Sequence, residues 1–97
     1  MKSNSSDKIR LIAEDNGLPG ILNKLAEECA EYSAARLKYI LGECEEEKWI
    51  SELADVMICI RQIEFHVERN SVLKAKLEEE IERKVDRQIR RINDEKA

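Results

Sequence analysis

The alternation of apolar and polar residues along the chain predicts a protein built only from helices. Within each segment, apolar side chains recur at intervals of three and four residues, as one face of an α-helix requires. Proline at a first turn, glycine after a last turn and an Asn-Ser capping pair set the expected boundaries. The four predicted helices run from about residue 6 to 16, 19 to 41, 48 to 68 and 71 to 93.

Three of these helices carry apolar faces of different widths. The second predicted helix has one face that we expect to enter the core, formed by Ile21, Leu22, Leu25, Cys29, Tyr32, Tyr39 and Ile40. The third is apolar around most of its circumference, which indicates packing on nearly all sides. One arc of this helix lacks large apolar side chains, and it carries Ser51, Glu52, Asp55, Cys59, Gln62 and His66. The last helix has a narrow stripe of Leu73, Leu77, Ile81, Val85, Ile89 and Ile92.

Composition supports a single all-α domain over residues 1–97. The chain is 42% hydrophobic and 39% charged, with 3 Gly and 1 Pro. A chain of this length buries only about two thirds of its surface, so we expect completion by a homodimer or homotetramer. The net charge of -4 gives no basic surface for a nucleic-acid polymer or a membrane. The polar start and the lack of an apolar run of roughly 20 residues favour a soluble, cytoplasmic protein.

Five carboxylates on the two central helices form the main candidate site. Glu27, Glu28 and Glu31 lie on the second helix, and Glu52 and Asp55 lie one turn apart on the third. On a helical wheel Glu28 points most nearly inward, Glu31 lies further round and Glu27 furthest. The negative charges of these carboxylates repel one another, so we expect a cation among the side chains.

Carboxylate oxygens on rigid helices suit magnesium, with manganese as an alternative. A di-iron bundle is disfavoured because it needs a Glu-x-x-His motif, and the turn after Glu52 offers Asp55 instead. The ordinary alternative is that each acidic group is a solvated helix face. The three cysteines, Cys29, Cys44 and Cys59, support neither a disulfide framework nor a zinc site, and Cys29 and Cys59 are expected to pack as small apolar residues.

The sequence EECAE at residues 27–31, followed by ELAD at residues 52–55, resembles the EExxE…ExxD motif of the MazG-like nucleoside triphosphate pyrophosphohydrolases. The resemblance covers the central helix pair and, more loosely, the last helix. It implies an all-α bundle that hydrolyses NTPs or dNTPs to the monophosphate and pyrophosphate, as in nucleotide-pool housecleaning. It also implies that Glu28, Glu31, Glu52 and Asp55 bind Mg²⁺, with Glu27 as an accessory acid that holds a further metal or positions water.

Further residues are candidates for holding the nucleotide. Lys84, Arg87 and Arg91 share one face of the last helix and are candidates for phosphate contacts, although a solvated basic face paired with acids four residues away is equally compatible. Trp49 is one turn before the ExxD acids and is a candidate for stacking on a base, with packing as its alternative role. We expect His66 to be an ordinary, partly buried histidine.

Two other functions remain open at this point. Phosphoribosyl-ATP pyrophosphohydrolases have a similar acidic helix pair, but they typically show Tyr-His soon after ExxD, where this chain reads VMICIRQ. A non-catalytic helical interaction module, with the acids as surface charge, is the alternative from another class.

Overall fold

The structure, a computed structural model, describes residues 2–96, with side chains from residue 6 onward. Three α-helices follow one another in this range: α1 (Lys2–Ile40), α2 (Glu46–Glu68) and α3 (Ser71–Lys96). Residues 2–96 contain no strand, so the prediction of an all-α protein is confirmed. The helices form two compact units, one ending at His66 and the other beginning at Val67.

A kink at Gly17 divides α1 into two helical segments. Gly17 has φ 71° and ψ 160°, outside the helical region, although the helix continues on both sides. A positive φ is unfavourable for residues with a Cβ and is readily adopted by glycine. Pro19 follows in the first turn of the second segment, where its missing N–H costs nothing. The expected break near residue 17 is therefore present, although it bends one long helix.

The end of α1 is closed by a glycine motif. Gly42 has φ 76°, its N–H donates to the Tyr39 carbonyl at 3.0 Å, and the N–H of Glu43 donates to the Lys38 carbonyl at 2.8 Å. This pair of bonds is the Schellman arrangement, which satisfies carbonyls that the last helical turn leaves without partners. The short connection to α2 follows directly.

The first unit has a small core between α1 and α2. The buried side chains of this unit are Ala13, Ile21, Ala35, Val56, Cys59 and Gln62. The predicted core face of α1 is only partly correct: Ile21 is buried, whereas Cys29 is exposed. Leu22 and Ile40 are also exposed in the single chain. Short side chains such as Ala35 allow the two helices to approach closely, and the outer part of the predicted face is left uncovered.

The polar arc of α2 is the side that packs against α1. Gln62 is 2% exposed, and its Oε1 accepts a hydrogen bond from Asn16 Nδ2 at 2.8 Å. The Nε2 of His66, a partly buried residue as predicted, lies 2.8 Å from the Ala13 carbonyl. Each of these contacts joins the first segment of α1 to α2. Hydrogen bonds offset the cost of removing these polar groups from water. The periodicity of apolar residues in the sequence does not reveal such bonds.

The opposite, apolar side of α2 is exposed in the single chain. Ile50, Met57 and Ile60 are 47%, 48% and 43% exposed. These residues lie on one side of the helix over nearly three turns, so they form an apolar surface along it. The expectation that α2 is packed on nearly all sides is therefore not met within one chain.

The second unit consists of the end of α2 and α3. Asn70 caps α3, because its Oδ1 accepts a hydrogen bond from the N–H of Leu73 at 3.0 Å. No residue of α3 is buried. Most of the predicted apolar stripe is exposed, at Leu77, Ile81, Val85, Ile89 and Ile92.

Candidate metal centre

Three of the predicted carboxylates come together where α1 lies against α2. Glu28 and Glu31 project from successive turns of α1, and Glu52 projects from the first half of α2. One ligand oxygen from each lies within 4.8 Å of the other two. A single hard cation with oxygen ligands at about 2.0–2.6 Å fits among atoms at this separation.

Two oxygens of this cluster are buried without a hydrogen-bond partner. They are Oε2 of Glu28 and Oε2 of Glu52, and the whole Glu52 side chain is only 12% exposed. A buried carboxylate oxygen without a donor is costly because it has lost its hydration. A divalent cation would remove this cost, so the donor set fits Mg²⁺ or Mn²⁺ in both chemistry and burial.

The electrostatics of Glu28 show how tightly the acids are grouped. Burial raises the pKa of Glu28 above its usual range, and repulsion from Glu31 and Asp55 raises it further. Lys24 acts in the opposite direction, but its effect is smaller. A bound cation would offset both of the effects that raise the pKa of Glu28.

Asp55 and Glu27 lie outside the close group of three. Asp55 is exposed, although its charge reaches Glu28. Glu27 is also exposed, in agreement with its outermost place on the helical wheel. Neither acid belongs to the group of three oxygens that lie within 4.8 Å of one another.

A surface pocket of 340 Å³ opens beside the acids. It is lined by Glu31, Ala34, Ala35, Lys38, Lys48 and Glu52. The pocket therefore combines two of the clustered carboxylates with two ammonium groups. Ammonium groups donate charge-assisted hydrogen bonds to anionic oxygens such as those of phosphate.

Lys48 is the cation in direct contact with the cluster, and our sequence analysis did not identify it. Its Nζ lies 2.9 Å from Glu52 Oε1, and this hydrogen bond raises the pKa of Lys48. A signal was present, because Lys48 precedes Glu52 by four residues, the spacing of neighbours on a helix.

Trp49 lies beside an arginine and a tyrosine of α1. The Arg36 guanidinium is 4.8 Å from the Trp49 ring centroid and 5.2 Å from that of Tyr39. The two rings meet edge to face, with centroids 6.1 Å apart. These contacts favour the packing role for Trp49. Its Nε1 is nevertheless buried without a partner, so it retains a donor for a ligand.

The basic residues predicted to hold phosphate lie on α3, in the second unit. Lys84 Nζ is 3.9 Å from Glu80 Oε1, and Arg83 donates a hydrogen bond to the same carboxylate. The bond from Arg83 lowers the pKa of Glu80, and the charges of Lys84 and Arg87 lower it further. This arrangement matches the alternative of a solvated basic face paired with acids on its own helix.

Comparison of the chain with protein-family models, curated proteins and solved structures found no match. None of the helices among the described residues combines the length and the apolar character needed to cross a membrane.

Proposed function

We propose that this protein is a metal-dependent nucleoside triphosphate pyrophosphohydrolase. The observation that carries the proposal is the group formed by Glu28, Glu31 and Glu52, in which two buried oxygens have no partner. The EExxE…ExxD spacing, which resembles that of the MazG-like enzymes, gives the reaction class. The pocket beside the acids supplies a place for a polyphosphate next to them.

In this proposal Glu28, Glu31 and Glu52 hold Mg²⁺ or Mn²⁺, and Asp55 completes the ligand set from the next turn of α2. Glu27 is the accessory acid, which holds a further metal or orients water. A bound divalent cation would supply charge neutralisation for the triphosphate and a lowered pKa for an attacking water. The reaction is attack on the α-phosphorus, which releases pyrophosphate and the monophosphate.

The remaining residues of the site would bind and orient the nucleotide. Lys38 and Lys48 line the pocket, and they are the first candidates for contacts to phosphate oxygens. Trp49 offers its unpartnered Nε1 and the edge of its ring to the base or sugar. A role for Lys84, Arg87 and Arg91 requires that α3 of the same or another copy reach the nucleotide, and it stays a prediction.

We propose further that the functional form is a homodimer or homotetramer. The apolar side of α2, with Ile50, Met57 and Ile60, is a largely exposed apolar surface of the first unit. Exposed contiguous apolar surface on a small protein is typical of an interaction site. A second copy of α2 would bury it.

The test is to incubate the purified protein with magnesium and a panel of normal and modified NTPs and dNTPs. Pyrophosphate and orthophosphate are assayed separately, because cleavage between the α- and β-phosphates releases pyrophosphate, whereas cleavage between the β- and γ-phosphates releases orthophosphate. We expect pyrophosphate and monophosphate from the wild type and neither from Asp55→Asn. Glu64→Gln is the matched control, since Glu64 is an exposed acid of the same helix outside the cluster.

Other outcomes of this experiment point to other functions. Turnover of phosphoribosyl-ATP, with no activity on the panel, would favour the related pyrophosphohydrolase. If the protein turns over no substrate and magnesium does not change its thermal stability, the result would favour a non-catalytic helical interaction module. Equal activity in the wild type and Asp55→Asn would refute the assignment of the site.

A further inference from the structure

Lys48 occupies an oxygen of the carboxylate cluster that a metal would also need. Its Nζ lies 2.9 Å from Glu52 Oε1, while the other oxygen of Glu52 is buried without a partner. The charge of Glu31 also raises the pKa of Lys48, so the ammonium group is influenced by both helices. This ion pair joins a basic side chain directly to the carboxylate cluster.

The two side chains of this pair differ in their surroundings. Glu52 is 12% exposed and held against α1, whereas the Lys48 side chain is 59% exposed. A lysine has a flexible four-carbon stem, and an exposed one changes rotamer at little cost. If the pair separates, Lys48 is therefore the partner that moves. Lys48 also lines the pocket, so its ammonium group has the pocket within reach.

We propose that Lys48 is a tethered cation with two alternative partners. In the metal-free protein it neutralises Glu52, and a divalent cation displaces it from that oxygen. The released ammonium group then contacts a phosphate of the nucleotide in the pocket. Lys48 is thus a positioning residue that couples metal loading to phosphate binding, and this inference rests on the proposed function.

The coupling predicts opposite effects of removing the ammonium group. Lys48→Met frees Glu52, so the metal no longer competes with an ion pair. Partly exposed pairs of this spacing are worth a fraction of a kcal/mol to about 1 kcal/mol, so Mn²⁺ should bind about two- to fivefold more tightly. With metal present, the same variant lacks a charge-assisted contact, so a triphosphate should bind about tenfold more weakly or worse.

The measurement is calorimetry on the full chain, in two titrations. The first adds Mn²⁺ to the protein without nucleotide, so its readout does not depend on activity. The second adds a non-hydrolysable α,β-methylene deoxynucleoside triphosphate at saturating magnesium. Lys48→Arg retains the charge and is expected to restore most of the wild-type behaviour in both.

Lys38→Met is the matched control, since Lys38 lines the same pocket and no ion pair joins it to the cluster in the described structure. If Lys38→Met tightens Mn²⁺ binding as much as Lys48→Met, the effect is general charge removal and the inference is wrong. If Lys48→Met weakens both ligands together, Lys48 has a merely structural role and the inference is also wrong. If the wild type binds no Mn²⁺, the proposed function itself fails, so the two failures are distinguishable.

Discussion

Replacing Glu28 by glutamine tests the centre of the proposed site through stability alone. Glu28→Gln keeps the size of the side chain and removes one negative charge from the group with Glu31 and Glu52. In the metal-free protein this relieves repulsion and introduces an amide donor beside two carboxylates. We therefore expect the variant to have a higher Tm than the wild type at pH 7 without metal.

The pH dependence follows from the direction of the Glu28 pKa. Burial and neighbouring acids raise this pKa, so between the usual carboxyl range and the raised value the folded protein binds more protons than the unfolded chain. Stability therefore falls as the pH rises through that window. The glutamine variant lacks this titration, so its stability should fall less over the same window.

Bound Mg²⁺ should reverse the order of the Tm values of the wild type and Glu28→Gln. At a Mg²⁺ concentration of about one hundred times Kd, binding to the folded wild type contributes about 2.7 kcal/mol. For a chain of this size, 1 kcal/mol corresponds to roughly 4–8 °C, so the wild-type Tm should rise by about 11–22 °C. Glu28→Gln lacks one of three clustered ligands. If its affinity falls about a hundredfold, the same Mg²⁺ concentration raises its Tm by only about 2–3 °C.

The assay is thermal unfolding followed by circular dichroism, with and without Mg²⁺, from pH 4 to pH 8. Glu64→Gln serves as the control and should follow the wild type throughout. An equal rise in Tm with Mg²⁺ in the wild type and Glu28→Gln would refute the assignment of this carboxylate to a metal site. A lower metal-free Tm in the variant would refute the argument from repulsion.

Two further predictions concern the fold and its assembly. Asn16→Ala leaves Gln62 Oε1 buried without its donor, so chemical denaturation should show that the free energy of unfolding falls by about 1–3 kcal/mol. Adding Gln62→Met to that variant should recover part of the loss. Additive effects of the two substitutions would contradict a coupling between the two side chains. Met57→Lys places a charge in the exposed apolar side of α2, so sedimentation should show a smaller species than the wild-type oligomer. A wild type that is monomeric at micromolar concentration would contradict the proposed assembly.

Local signals in the sequence predicted the helix boundaries well. Gly17 and Gly42 both adopt positive φ, and Asn70 caps the last helix, as the composition around each break indicated. These features depend on a few neighbouring residues, so no tertiary information is needed to anticipate them. The ranking of Glu28 as the inward acid of its helix likewise follows from the angle between successive residues alone, and the exposure of Glu27 agrees with it.

The partner of each helix face was not predictable in the same way. A helical wheel separates polar from apolar sides, but it does not state which side another helix will cover. For α2 the wheel indicated packing on nearly all sides, whereas the chain buries Gln62 and leaves Ile50 and Met57 about half exposed. The polar partners of Gln62 and His66 are Asn16 and the Ala13 carbonyl, more than forty residues earlier, and only the packing of α1 decides their positions.

The sequence by itself therefore determined an all-α chain, its breaks and the residue types of a candidate metal site. Only the tertiary structure decided which carboxylates meet: Glu28, Glu31 and Glu52 do, and Asp55 lies just outside their group. It also decided that the ammonium group of Lys48 lies 2.9 Å from Glu52. The physical reason is that helix formation is governed by neighbours within about four residues, whereas a site across two helices depends on how closely and at what rotation they pack.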